Sequence, residues 1–130
     1  MMYVMDASAL LALMQGEIGS DVVDELIQDQ ECIASSVNIA EVGTKLIDKG
    51  LAPVHLTRTL KELNVQPIDF DLEQATLCAN LHSSTKHVGL SLGDRACMAL
   101  TQLVKGTAVT GDSAWSDVAD AVGIRVLMIR

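Results

Sequence analysis

The sequence predicts an α/β fold built on a mostly parallel sheet, and three features carry that expectation. Five short runs of strand type alternate with segments of helical period along all 130 residues. The first run, Tyr3 to Met5, is apolar on both faces, which suits the middle of a parallel sheet covered by helices on both sides. The period then changes abruptly, because Leu10, Leu13 and Met14 recur at helical spacing after Ala7-Ser8. Asp6 is left where strand gives way to helix, and in open sheets of this kind function gathers at the carboxyl ends of the strands.

The remaining elements follow in order. Gly16 and Gly19 break the first helix, and Ser20 is placed to cap a second with Val22, Val23, Leu26 and Ile27 on one face. Cys32 to Ala34 is the second strand, and Val37 to Lys49 is a helix with Ile39, Val42, Leu46 and Ile47 facing inward, ended by Gly50. Pro53 opens the next helix, in which Leu56, Leu60 and Leu63 share a face. Val65 to Phe70 reads as a third strand, with Pro67 assigning it to an edge. Asp71 caps a helix carrying Ala75, Cys78 and Ala79, and the polar stretch His82 to His87 is the expected flexible piece. Ser91 to Lys105 is a long helix with Cys97, Leu100, Leu103 and Val104 on its face. Thr107 to Thr110 is the fourth strand, Trp115 to Ala121 a short helix, and Ile124 to Ile129 the last strand.

Length and composition narrow the function classes. A chain of 130 residues is read as one domain, residues 1 to 130, with no internal repeat or linker. One Phe, one Tyr and one Trp cannot build an aromatic platform for stacked bases. A net charge of -8 argues against a broad basic surface for nucleic acid, though not against an enzyme whose charge is reversed locally by metal ions, and it suits a basic partner. Cys32, Cys78 and Cys97 show no C-x-x-C pair, so reduced, buried thiols in a cytoplasmic protein are expected. Neither a signal peptide nor an apolar run long enough to span a bilayer is recognisable.

Four acids fall at comparable places. Asp6, Glu41, Asp94 and Asp112 each stand at a strand end or in the first turn of the helix after one, positions that project to a single edge of a parallel sheet. Singly, each has a plain structural role. Glu41 follows Asn38 by three and Asp94 follows Ser91 by three, as in capping boxes; Glu41 can also pair with Lys45, and Asp6 and Asp112 are good turn residues. Together, ionised carboxylates at one edge repel one another unless a cation neutralises them. Hard divalent ions with oxygen ligands, Mg²⁺ or Mn²⁺, answer that need, and they activate water and polarise phosphodiesters. The chemistry indicated is metal-assisted hydrolysis of a phosphate ester.

Four further residues are supporting candidates. Arg95 can hold a substrate phosphate or pair with the acids, and Ser8 can cap the first helix or help position a water at the metal. Thr110 and Ser113 flank Asp112 and can hydrogen-bond around it. Asp117, a helical turn past Ser113, is either a further acid of the site or a solvated residue, and the solvated reading is favoured. His55, His82 and His87 lack ligand spacing and are assigned to the surface.

With these residues in view, the chain resembles the PIN-domain ribonucleases, and most closely the VapC-type toxins of toxin-antitoxin pairs. The resemblance rests on Val4-Met5-Asp6-Ala7-Ser8-Ala9-Leu10, Asn38-Ile39-Ala40-Glu41-Val42, Gly89-Leu90-Ser91-Leu92-Gly93-Asp94-Arg95-Ala96-Cys97 and Val109-Thr110-Gly111-Asp112. It implies a three-layer fold with a five-stranded sheet, the first strand central. It also implies that Asp6, Glu41 and Asp94 are the core metal-binding acids and Asp112 the fourth. An Mg²⁺- or Mn²⁺-dependent endoribonuclease, a homodimer, and inhibition by a cognate antitoxin are further implications. Two other functions compete. One is a PIN-fold nuclease of RNA maturation or quality control with no antitoxin. The other is a receiver-like signalling module, which lacks its expected lysine here because Arg125 lies inside the last strand and Lys105 before the fourth.

Overall fold

The computed structural model describes residues 1–130 and contains β1 (Met2–Met5), α1 (Ala7–Gln15), α2 (Ser20–Asp29), β2 (Glu31–Ser35), α3 (Ser36–Asp48), α4 (Leu56–Lys61) and β3 (Gln66–Ile68). These are followed by α5 (Leu72–Asn80), α6 (His82–Thr85), α7 (Leu92–Val104), β4 (Thr107–Thr110), α8 (Ala119–Val122) and β5 (Arg125–Met128). Single 3-10 turns occupy Pro53–His55, Lys86–Val88 and Ser113–Asp117.

The five strands form one sheet in the order β3-β2-β1-β4-β5, and every neighbouring pair is parallel. β1 is therefore central, and β3, with Pro67, is an edge strand, where a residue without an N–H is tolerated. The chain builds outward from β1 through β2 to β3, then crosses back to lay β4 on the other side of β1. The strand order reverses between β1 and β4, the kind of switch point beyond whose carboxyl ends ligands bind in open α/β sheets. Receiver-type sheets run 2-1-3-4-5, so this order sets the receiver-like alternative aside.

Alternation along the strands divides the core in two. Val4, Ile33 and Ala108 face one side, against Cys97, Met98 and Leu100 of α7 and against Cys78, Trp115 and Val118. Met5, Cys32, Ala34 and Val109 face the other, against Leu10 and Ala12 of α1, Val23 of α2 and Val42 of α3. Adjacent residues of β1 thus enter different cores, which is why the run is apolar at every position. The result is a three-layer arrangement with helices on both faces.

Several local expectations change. Gly19, in a left-handed conformation, takes the N-cap of α2, and Ser20 becomes its first residue. The polar stretch from His82 is ordered as α6 and a 3-10 turn, because Thr85 is fully buried and its hydroxyl donates to the Leu81 carbonyl at 2.8 Å. β3 is shorter than its apolar run, and the helix expected from Trp115 splits into a 3-10 turn and α8. Leu103, placed on the inner face of α7 by its period, is 39 % exposed, and Ile47 is 38 % exposed. No helix is long and apolar enough to cross a membrane.

Leu100 and Leu103 give the packing a direct check. Truncating the fully buried Leu100 to Ala is expected to cost about 2–5 kcal/mol, whereas Leu103→Ala costs well under about 1 kcal/mol. Urea unfolding of both variants, compared with wild type, measures the difference.

Candidate active site

Asp6 ends β1 and is the N-cap of α1, accepting a hydrogen bond from the Ala9 amide at 2.8 Å. Its structural and chemical roles therefore coincide in one side chain, which is only 4 % exposed. Ser8 Oγ donates to Asp6 Oδ1 at 2.7 Å, and Thr110 Oγ1 donates to Asp6 Oδ2 at 2.5 Å. Each hydroxyl has a single proton and spends it on the carboxylate, so the 3.3 Å approach of Ser8 Oγ to Thr110 Oγ1 is a contact between two acceptors. The same two hydroxyls accept backbone amides from the next loop, Gly111 to Ser8 at 2.9 Å and Asp112 to Thr110 at 3.1 Å. The ends of β1 and β4 are thereby locked together around Asp6.

Asp112 starts the 3-10 turn that follows, where its Oδ1 accepts the Ala114 amide at 3.0 Å. Its side chain is exposed, as is Ser113 beside it. Ser113 forms no side-chain hydrogen bond to Asp112, whose partner is the Ala114 backbone instead. Asp117 closes the same turn, exposed and solvated.

Glu41 lies in the second turn of α3, since the cap is Ser35 and not Asn38. Asn38, 1 % exposed, donates from Nδ2 to Glu41 Oε1 at 2.9 Å and to the Gly93 carbonyl at 3.0 Å. One amide therefore orients the carboxylate and fastens α3 to the start of α7. Glycine at position 93 leaves the Glu41 carboxylate room in this orientation, since a methyl group there would overlap it. Neither Asn38 nor Gly93 stood out in the sequence as an orienting residue. The Asn-x-x-Glu spacing was the available signal, but it matches an ordinary capping box.

Asp94 does form a capping box with Ser91. Its Oδ2 accepts the Ser91 amide at 2.8 Å and the Ser91 hydroxyl at 3.0 Å, while the Asp94 amide donates to Ser91 Oγ at 3.2 Å. Arg95 points elsewhere. Its Nη1 donates to the Cys78 carbonyl on α5 at 3.1 Å, which departs from both roles expected for it, a phosphate ligand or a partner of the acids.

Electrostatics bring three of the acids into one neighbourhood. Burial pushes the Asp6 carboxyl up from its ordinary 3.8 to about 6, against the hydrogen bonds from Thr110, Ala9 and Ser8 that pull it down, and the Asp94 charge raises it further. Cys97, buried beneath in α7 with its thiol toward the Val4 carbonyl, is pushed well above its ordinary value, first by desolvation and then by the charges of Asp6, Asp94 and Glu41. A single buried thiol thus senses all three carboxylates. Asp112 is tied to this neighbourhood through its backbone amide, which donates to the Thr110 hydroxyl.

No three His, Cys, Asp or Glu side chains converge into a ready-made metal cage. Mg²⁺ is ordinarily held by one or two carboxylates, with water and substrate phosphate completing its shell. The donors are all carboxylate oxygens, and Asp6 is a buried carboxyl with hydroxyl and amide partners but no cationic one.

A family model described as the PIN domain matches residues 3–121. The chain belongs to the PIN-domain family. Members of this family are nucleases and generally use divalent metal ions. Among solved structures, this PIN domain is similar to a chain of VapBC2 from Rickettsia felis bound to a DNA fragment from its promoter, with 14% identity, 98% of each chain covered and a TM-score of 0.74. It is similar to a chain of DNA-bound VapBC from Salmonella typhimurium, with 15% identity, 100% of this chain and 99% of that one covered, and a TM-score of 0.74. For FitAcB from Neisseria gonorrhoeae the identity is 18%, the coverage 98% and 97%, and the TM-score 0.67. No curated protein sequence matches the chain.

The raised Asp6 carboxyl makes stability depend on pH. The folded PIN domain holds this proton more tightly than the unfolded chain, so its contribution is full below about pH 4 and is lost as pH rises through about 6. At neutral pH the ionised carboxyl costs roughly 3 kcal/mol. Asn keeps an acceptor for Ser8 and Ala9 without the charge. In chelator, Asp6→Asn is expected to stabilise the fold by about 1–3 kcal/mol at pH 7.5, with the gain shrinking toward pH 4. Urea unfolding across that range measures it, and a pH-independent difference would contradict the cause given.

Proposed function

We propose that this PIN domain is an Mg²⁺- or Mn²⁺-dependent endoribonuclease and the toxin of a toxin-antitoxin pair. The observation that carries the reading is the buried Asp6 carboxyl at the switch point of the sheet, which has no Lys or Arg partner. The Asp94 charge acts on it, and the Glu41 charge acts, like both of these, on the Cys97 thiol beneath. Asp6, Glu41, Asp94 and Asp112 are the residues proposed to hold the ions and to act in catalysis. When bound, such ions supply Lewis acidity at the phosphate and neutralise charge on the attacking and leaving oxygens.

The protein's own part is orientation. Ser8 and Thr110 fix both oxygens of Asp6, Asn38 fixes one oxygen of Glu41, Ser91 fixes one of Asp94, and the Ala114 amide fixes one of Asp112. In Glu41, Asp94 and Asp112 the other oxygen has no protein hydrogen bond and is free to act as ligand or proton acceptor. The reaction is hydrolysis: water adds to phosphorus, the bond to one ribose oxygen breaks, and that oxygen leaves with a proton. Supporting roles fall to Ser8 and Thr110, both hydrogen-bonded to Asp6, whereas Arg95 and Ser113 serve the structure around them.

The toxin reading is supported by the residue-level resemblance to VapC-type chains and by the VapBC and FitAcB assemblies among similar folds. A cognate antitoxin fits the charge of -8, since a basic segment would be drawn to the acidic edge. Action in the cytoplasm as a homodimer, with the 130 residues working as one domain, completes the proposal.

Incubation of total RNA with the purified protein and Mn²⁺ or Mg²⁺, against chelator, tests the activity. Metal-dependent cleavage is expected from wild type, and a loss of about 100-fold or more from Asp94→Asn and Asp6→Asn with the fold intact. Cleavage retained by both variants would remove the assigned acids from catalysis. Gly93→Ala is expected to change stability by less than about 1 kcal/mol, because the overlapping group is the end of a flexible side chain. It displaces the Glu41 carboxylate from Asn38, so Mn²⁺ affinity measured by calorimetry falls while the thermal midpoint stays close to wild type.

A further inference from the structure

The chain carries nine Lys and Arg residues, and three of them line one groove that starts at the acidic site. The groove is about 290 Å³ and its floor is one face of α1, Ser8, Leu11 and Gln15, spaced three and four residues apart. Ser8, at its inner end, is the residue whose hydroxyl is bonded to Asp6. Lys45 and Lys49 form one wall. They follow Glu41 by four and eight residues, so all three share a face of α3, with the lysines roughly 6 and 12 Å along the axis from the acid. Lys49 Nζ donates to Gln15 Oε1 at 3.2 Å, which ties this wall to the floor.

Arg130 supplies the third cation. Its guanidinium lies over Gly111, where a methyl group would meet Cζ at 2.6 Å, and its Nη1 donates to the Ile18 carbonyl at 3.3 Å. It therefore stands beside the loop that bears Asp112. Glu17 is the only acid in the lining, so the groove carries a net positive charge in a protein of net charge -8.

We propose that this groove seats the phosphate backbone of single-stranded RNA on one side of the scissile bond. A cavity of this size takes the backbone of a nucleotide or two and not a duplex. Without an aromatic platform, the chain must hold RNA through phosphates, and Lys45, Lys49 and Arg130 are placed to do so along a line leading to the acids. The inference rests on the nuclease reading and adds to it the path of the substrate strand.

The test is binding of a short labelled single-stranded RNA of mixed sequence, in chelator so that nothing is cleaved, across a series of salt concentrations. Lys45→Glu/Lys49→Glu and Arg130→Glu are expected to bind about tenfold or more weakly, and the slope of log affinity against log salt to flatten by about 0.7 for each cation removed. Arg58→Glu/Lys61→Glu, on the exposed side of α4, is expected to stay near wild type. Lys45→Gln/Lys49→Gln should give an intermediate loss, which guards against a folding defect in the charge reversals. The proposal is overturned if the groove variants bind like wild type, if the α4 pair loses as much, if wild type binds no RNA, or if polyglutamate competes as well as RNA does. Cleavage by wild type with Mn²⁺ separates the two claims. Cleavage with unaltered binding in the groove variants removes the groove alone, while groove-dependent binding without any cleavage removes the nuclease reading alone.

Discussion

A carboxyl buried at the end of the central strand is the constraint on which the functional edge depends. Asp6 caps α1, so it cannot leave its position without losing the helix start, yet burial makes its charge costly at neutral pH. Two hydroxyls and an amide reduce that cost without removing it. What remains unmatched is the positive charge, and a hard cation between carboxylates is the simplest complement. A buried carboxyl kept at a cost in stability is a common consequence of placing function above packing.

The other acids reach the same edge through different physics. Asp112 follows β4, which pairs directly with β1, so the sheet itself brings it near. Glu41 and Asp94 come from helices on which a small rotation would redirect the side chain. Their alignment is secured by one contact, the Asn38 amide shared between Glu41 and the Gly93 carbonyl, together with the absence of a side chain at Gly93. Burying an amide is favourable only when it is hydrogen-bonded, and here the two bonds donated by Asn38 Nδ2 also position the acid, while its Oδ1 is buried without a partner.

Charge is divided as function at this edge demands. The chain is acidic overall, with a net charge of -8 that discourages loose attachment to nucleic acid, while three of its nine Lys and Arg residues are gathered in one groove. In the proposed reading, affinity concentrated next to the acids favours productive over nonproductive contact. The similar structures, at 14% to 18% identity, share the fold with this chain.

Much of this was legible in the sequence. The change from strand to helical period at Asp6, the alternation of elements and the proline in β3 determined the fold class, because periodicity records which faces are buried and that record is local. The motifs around Asp6, Glu41, Asp94 and Asp112 likewise singled out candidate acids, of which Asp6, Asp94 and Asp112 stand at the start of an element and Glu41 lies in the second turn of α3. What only the tertiary structure decided were relations between distant segments. The order of strands, the rotation of α3 against α7 through Asn38, the turning of Arg95 toward Cys78 and the meeting of Lys45, Lys49 and Arg130 in one groove all join residues far apart in the chain. A spacing rule describes one helix or one strand at a time, whereas these contacts are set by how whole layers pack, and packing has no local signature.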